Sequence, residues 1–327
     1  MTNDGINGGR ETNDGLKDIV VGVDGSSESF AALRWALNEA GKTGQQVNAV
    51  FGWTHSWDMG SEPDDDESWK KVRHEIARTL RGWVDEASNG IDFDPKNLKL
   101  TSVKASGSAA LLQIGADSQQ IVVGRRNLGR VARWFLGSSS SSLAEEAKVP
   151  VTVVRGDEDK DSPVSVQDSI ARSLSPESFD RGGGDGSGLR PVVVGIDGSK
   201  TSRRALDFAI HEASVDGRPL HVLFCWQMKD LGAIEGYETT VPSIAVGQQH
   251  AEQILASVTG QVKLPPNVTM TASAFHIAAG KGLVSASRYA NRVVVGSRGL
   301  SGLDAHFLGS VSRQVVDEAE CTVTVVH

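Results

Sequence analysis

The sequence predicts an α/β fold with two doubly wound, mainly parallel five-stranded sheets, one in each half of the 327-residue chain. Three observations carry this prediction. Short apolar runs alternate with stretches of helical periodicity, and strands joined through helices pair in parallel by right-handed crossovers. The halves repeat one another, so the fold is a duplication. The repeated loops follow the strand-like runs, where doubly wound sheets of order 3-2-1-4-5 open a crevice between strands one and four.

The repeat is visible at both ends and in the middle of each half. Ile19-Val-Val-Gly-Val-Asp24-Gly-Ser26 recurs as Val192-Val-Val-Gly-Ile-Asp197-Gly-Ser199. Val122-Val-Gly124 recurs as Val294-Val-Gly296, and Leu136-Gly137-Ser138 as Leu308-Gly309-Ser310. The tails Val151-Thr-Val-Val154 and Val323-Thr-Val-Val326 also correspond.

The second half shows the elements in order. Pro191–Ile196 is a continuous apolar run, as expected of a strand covered on both faces. Ser199 or Thr201 can cap a helix over Ser202–Val215, where Ala205, Ala209 and Ala213 recur every four residues. Gly217-Arg-Pro219 ends it, and Leu220–Trp226 is the second strand. A helix near Ala245–Val262, a strand over Thr269–Phe275 and a helix over Leu283–Ala290 follow. Next come a strand over Arg292–Val295, a glycine loop, a helix over Val311–Glu320 and a last strand over Thr322–Val326. The first half parallels this from Asp18–Val23 through Val151–Val154.

These runs set the expected domains: a disordered tail over 1–17, a first α/β domain over 18–155, a flexible linker over 156–190 and a second domain over 191–327. The linker opens with Asp157-Glu-Asp-Lys-Asp161 and ends with Gly182-Gly-Gly-Asp-Gly-Ser-Gly188, too little apolar surface to offset ordering entropy. A short helix over Val164–Leu174 is compatible with it.

Bulk chemistry excludes several functions. The net charge of −8 argues against a broad nucleic-acid footprint, which needs a basic surface. No apolar run approaches the roughly 20 residues of a membrane helix, and the polar start lacks the apolar segment of a secretory signal. Two cysteines, Cys225 and Cys321, fit a reducing compartment and a cytoplasmic protein. His55, His211, His276 and His306 have no metal-ligand spacing. There is no nucleophile–base pair, no Cys-x-x-Cys and no carboxylate pair of convincing spacing. Neither a catalytic residue nor a metal ligand is expected.

The chemistry-bearing segment is Gly296-Ser-Arg-Gly299 with Gly309-Ser310 beyond it: Gly, two residues, Gly, nine residues, Gly-Ser, between a buried strand and a helix. Glycine tolerates φ > 0 and close approach to a ligand. A helix N-terminus offers bare amides and the positive end of its dipole to an anion. The motif resembles the ATP-binding signature of the universal stress protein A family in its tandem form, and the resemblance covers both halves, roughly 140 residues each. It implies a Rossmann-like sheet of the flavodoxin/HUP type and ATP as cofactor, with magnesium as a companion ion. The residues it implies at the nucleotide are Gly195, Ile196, Asp197, Cys225, Val295, Gly296, Gly299, Gly309, Ser310, Val311 and Ser312. Of these, Gly296, Gly299, Gly309, Ser310 and Ser312 would hold phosphates and ribose, while Asp197 and the strand end near Cys225 face the adenosine.

The first-half equivalents are Gly22, Val23, Asp24, Gly52, Val123, Gly124, Asn127, Gly137, Ser138, Ser139 and Ser140. Here Asn127 stands where the second glycine belongs. Asn tolerates the left-handed region best after Gly, but its side chain crowds a phosphate. Arg125, Arg126, Arg130 and Arg133 add positive charge, either for phosphate or as a solvated face. Asp24 and Asp197 also admit a plain reading, as residues of the strand-to-helix turn.

The expected function is a stress-response regulator that binds an adenine nucleotide and signals to a protein partner; the alternative is a partner-binding module with nucleotide-free clefts. Slow ATP hydrolysis is at most a side activity. Adenylating ligases of the wider superfamily use a Ser-Gly-Gly-x-Asp loop after strand one, where this chain has Asp-Gly-Ser. Gly280-Lys-Gly282 lacks the first glycine and the Ser/Thr of a P-loop. Single-domain relatives dimerise through their last strand. The resemblance therefore implies an intramolecular pseudo-dimer through Val151–Val154 and Thr322–Val326, with a homodimer as the next level of assembly.

Overall fold

The computed structural model describes residues 17–54, 65–125, 143–156, 169–176, 189–237, 239–299 and 308–327. The expected sites at Asn127, Gly137, Ser138, Ser139 and Ser140 lie outside the described residues.

The first half runs β1 (Ile19–Gly22), α1 (Ser27–Thr43), β2 (Val47–Trp53), α2 (Asp66–Ser88), β3 (Leu98–Lys104), α3 (Gly107–Ile114), β4 (Gln120–Gly124) and β5 (Val151–Val154). After a short helix α4 (Ser169–Leu174), the second half repeats the plan. It runs β6 (Val192–Gly195), α5 (Lys200–Asp216), β7 (Leu220–Trp226), α6 (Ile244–Thr259), β8 (Met270–His276), α7 (Ala279–Ala286), β9 (Arg292–Gly296), α8 (Ser310–Glu318) and β10 (Thr322–Val326).

The expected order 3-2-1-4-5 holds in each half, and the two five-stranded arrays join into one sheet, β3-β2-β1-β4-β5-β10-β9-β6-β7-β8. Each pairing is parallel except β5 with β10, where the halves meet antiparallel and Thr152 lies opposite Thr324. Their hydroxyls are 2.9 Å apart. Pro150, which has no N–H to donate, immediately precedes the pairing. The last strand of each half thus covers the edge the other would expose.

Successive strand residues point to opposite faces, so the sheet sorts its apolar residues into layers. On one face Val20, Val50 and Val123 share a continuous core with Val193, Leu223 and Val295, and this layer spans both halves. On the other face each half keeps its own core, around Ile19, Val21 and Leu33 in the first and Val192, Val194 and Leu206 in the second.

Helix starts follow side-chain caps. Ser26 Oγ accepts from Ser29 N and Ser199 Oγ from Ser202 N, so Ser199, not Thr201, caps α5. Gly44 and Gly217 end their helices in the left-handed region, as C-terminal glycines do. Helix α7 begins four residues before the expected Leu283. Gly280 and Gly282 read as loop in the sequence, but inside the helix they let Gln314 and the Cys225 thiol approach where a Cβ would collide. The span expected as a tether is ordered in part. Ala171 and Leu174 of α4 are fully buried in the shared core, an anchoring the low apolar content around them concealed. No described helix is long and apolar enough to cross a membrane.

Helix α2 buries Ile76, Leu80, Val84 and Ala87, while Gly82 on its exposed side meets nothing within 4 Å of an added Cβ. Gly82→Ala is therefore expected to raise stability by about 0.5–1 kcal/mol, because glycine loses more chain entropy in a helix than alanine. A lower urea midpoint for this variant would contradict the exposed placement.

Candidate functional site

The strand-to-helix turns after β1 and β6 share one design. Asp24 Oδ1 accepts from the Ser26 amide at 3.1 Å and from its hydroxyl at 2.5 Å. Asp197 Oδ1 accepts from the Ser199 amide at 3.0 Å. The intervening Gly25 and Gly198 sit at φ 83° and 84°, a left-handed step that closes the turn. The plain reading of both aspartates, as turn residues, accounts for these bonds. Asp197 also has a second contact: its Oδ2 would lie 2.4 Å from a Cβ on Gly299. The turn and the glycine loop therefore touch in the second half.

The first half opens a cavity of about 120 Å³ between the carboxyl ends of β1 and β4, at the point of sheet reversal where doubly wound folds bind ligands. Gly22, Val23, Asp24, Gly52, Val123 and Gly124 all line it, so the described part of the expected first-half set converges. Ser26, Ser29 and Arg125 add polar groups at its edge, and Leu111, Leu143 and Val153 an apolar interior. Sequence reasoning missed Val316, which reaches this cavity from α8 of the other half. No local motif signals a contact made across a domain boundary.

The glycine loops differ from expectation in one respect. Neither Gly296 nor Gly299 takes a positive φ. Gly296 and Gly124 are instead needed for close packing. A Cβ on Gly124 would lie 2.1 Å from the carbonyl oxygen of Glu28 in the first turn of α1, and one on Gly296 would lie 3.1 Å from the Thr201 backbone of α5. Helix-to-strand approach, not a left-handed turn, is what these positions demand.

In the second half Gly309 is the N-terminal cap of α8 with φ −62°, and as a glycine it offers no capping side chain. Its own amide donates to Ser297 O at 2.8 Å. Exposed Ser310 follows, then Val311 and buried Ser312. The Ser312 hydroxyl is turned inward and donates to Gly296 O at 2.6 Å, so it ties α8 to β9 rather than facing a ligand. The first-turn amides of α8 form the open positive end of that helix. Gly195 ends β6 against Leu283, and Ile196 and Val295 are core residues. Cys225 does not face the crevice as expected. It is 5% exposed, its Sγ lies against Gly282 of α7, and burial pushes its thiol up to about 12. Gly52, its first-half counterpart, has no side chain and lines the first-half cavity.

Arg125 and Arg155 of the first half meet the far end of α8. The Arg125 guanidinium donates to the carbonyl oxygens of Asp317 and Ala319, and Arg155 donates to Ala319 O at 2.8 Å. Cations at a helix C-terminus are favourable, because they complement the dipole and satisfy carbonyls without helical partners. Among the described residues no group of three or more His, Cys, Asp or Glu could hold a metal ion.

This architecture has relatives. The model of the universal stress protein family matches residues 15–155 and again residues 188–327. Two universal stress proteins of Mycobacterium tuberculosis are each 30% identical over 315 residues, covering 94% of this chain and 96% of the relative. The crystal structure of a universal stress protein from Archaeoglobus fulgidus covers 95% of this chain and 96% of its own with a TM-score of 0.58; at 18% identity it speaks to the fold. The chain belongs to the universal stress protein family and carries two of its domains in tandem.

Proposed function

We propose that this tandem universal stress protein is an adenine-nucleotide-binding regulator whose occupied clefts alter the surface a protein partner reads. The observation that carries the reading is the first-half cavity, where Gly22–Asp24, Gly52 and Gly124 converge at the sheet reversal. In the second half the start of α8, where Gly309 brings no capping side chain, offers amides suited to phosphate oxygens. ATP is the ligand we favour. Magnesium would then arrive on the phosphates, since the described residues offer no cluster for it. Binding acts by linkage: a nucleotide that binds only the ordered cleft stabilises that state by mass action. The chain works as a cytoplasmic sensor rather than a metabolic enzyme, with ATP hydrolysis slow and incidental.

A second reading, a partner-binding module with nucleotide-free clefts, draws on Asp197 lying against Gly299 in the second half. Calorimetry separates the two. ATP titrated into protein stripped of any bound nucleotide is expected to release heat at two sites per chain, and Gly309→Val to remove the second-half site. Gly309 has ordinary backbone angles, so a side chain is not barred by φ, but its Cβ would lie 3.3 Å from Ser297 O, and valine there obstructs the amides while pressing on the loop after β9. No heat at up to millimolar ATP would select the module reading.

A further inference from the structure

We propose that the first-half cleft is an interdomain sensor, in which Arg125 detects the negative charge of a ligand and reports it to the second half through α8. The proposal rests on the nucleotide reading and deepens it, because it concerns how occupancy leaves the site. Three observations meet at one place. Arg125 lines the cavity from the end of β4. Its guanidinium also spans the seam and holds the carbonyls of Asp317 and Ala319. Val316, one residue before Asp317, lines the same cavity from the opposite half. The site is therefore incomplete without α8.

The guanidinium carries five donors in a planar fork and no acceptor, so its bonds can be redistributed between neighbours. Backbone carbonyls are neutral acceptors. Phosphate oxygens are charged and make shorter, stronger bonds with the same fork. An anionic ligand in the cavity therefore competes for Arg125. As the fork turns inward, Ala319 O keeps Arg155, while Asp317 O loses the donor from Arg125. The Asp317 carboxyl, raised by burial and drawn down by Arg313 and Arg125, then relies on Arg313 alone. The C-terminal turn of α8 and the chain leading into β10 should loosen together.

The repeat places Ser297 where the first half has Arg125, so that position carries no guanidinium in the second half. A serine cannot span the seam or balance a phosphate. The signal thus runs in one direction, from the first cleft to the second domain. Sequence repetition alone conceals this, since both positions follow a Val-Val-Gly strand end.

Hydrogen exchange on the full chain tests the proposal, with ATP and uncharged adenosine as the two probes, each at a concentration that calorimetry shows to saturate the first cleft. ATP is expected to speed exchange of the amides over 315–321 by about fivefold or more, within the usual range of coupling between sites. Adenosine should leave them unchanged. Arg125→Gln should erase the difference between the probes, and Arg125→Lys, a cation without the fork, should weaken ATP binding in the first cleft and, at saturating ATP, leave exchange over 315–321 unchanged. ATP binding in the first cleft with no change over 315–321, or an equal change with adenosine, would overturn the sensor and leave the nucleotide reading standing. Absence of binding by either probe would overturn both.

Discussion

Arg292→Gln is expected to lower the free energy of unfolding by about 3–5 kcal/mol, the usual result of removing one partner from a buried charge cluster. Arg292 sits on β9 with 1% of its side chain exposed. It pairs with Glu212 and, at 3.5 Å, with Asp216, both on α5, while Lys42 of α1 reaches Asp216 from the other half. Glu39, also on α1, is buried beside them; burial raises its carboxyl and Arg292 draws it back. The guanidinium lies 4.7 Å from the Trp35 ring centre. One arginine therefore balances acids contributed by both domains. Without it, Glu212 loses its ion-pair partner, and Glu39 and Asp216 keep Lys42 as a neighbouring cation. Urea denaturation followed by tryptophan fluorescence measures the loss. The double variant Arg292→Gln/Glu212→Gln should recover part of it, because the uncompensated charge goes too. A single-variant loss below about 1 kcal/mol would mean that water reaches the cluster, as it does in exposed pairs.

Gly124→Ala is expected to cost about 2–3 kcal/mol and to abolish ligand binding in the first half. Its added methyl would lie 2.1 Å from Glu28 O and 2.3 Å from Glu28 C. Those are backbone atoms of α1, so no side chain can move aside, and the helix must lift from β4. Overpacking of this kind costs roughly 1–3 kcal/mol, and here it also pries apart the walls of the cavity that Gly124 lines. Gly296→Ala should cost less, since its closest backbone contact, in Thr201, is 3.1 Å away. The order of the two urea midpoints, and the number of calorimetric sites in each variant, decide the matter. Equal effects would show that the two halves pack alike despite their different spacing.

Much of the fold is legible in the sequence because its strands are buried on both faces. Leu220–Trp226 is apolar but for His221, Thr322–Val326 joins valines with β-branched threonines, and the limits of both match the structure. Less was legible where small residues do the packing. Gly280 and Gly282 have the composition of a loop yet lie within α7, because tertiary contacts with Gln314 and Cys225 override local propensity. The site divides similarly. The family resemblance, carried into the first half by the repeat, pointed to Gly22, Asp24, Gly52 and Gly124, which line one cavity. The chemistry expected of the glycines was a left-handed turn, whereas positive φ falls on Gly25 and Gly198 of the preceding turns. The resemblance set the strand end near Cys225 beside the adenosine, and the thiol is buried against Gly282. Val316 and the seam role of Arg125 depend on how the halves meet, which no pattern within either half encodes.

The hydroxyl pair Thr152–Thr324 marks a near-twofold axis through the middle of the sheet. In an assembly of identical subunits, any change beside such an axis is installed twice and meets its own copy. Fusing the subunits into one polypeptide lifts that constraint. Arg292 corresponds in the repeat to Gln120, and Arg125 to Ser297, so each cation appears once. The repeat symmetry is thus broken at the seam, where each of these cations acts on both halves from a single position.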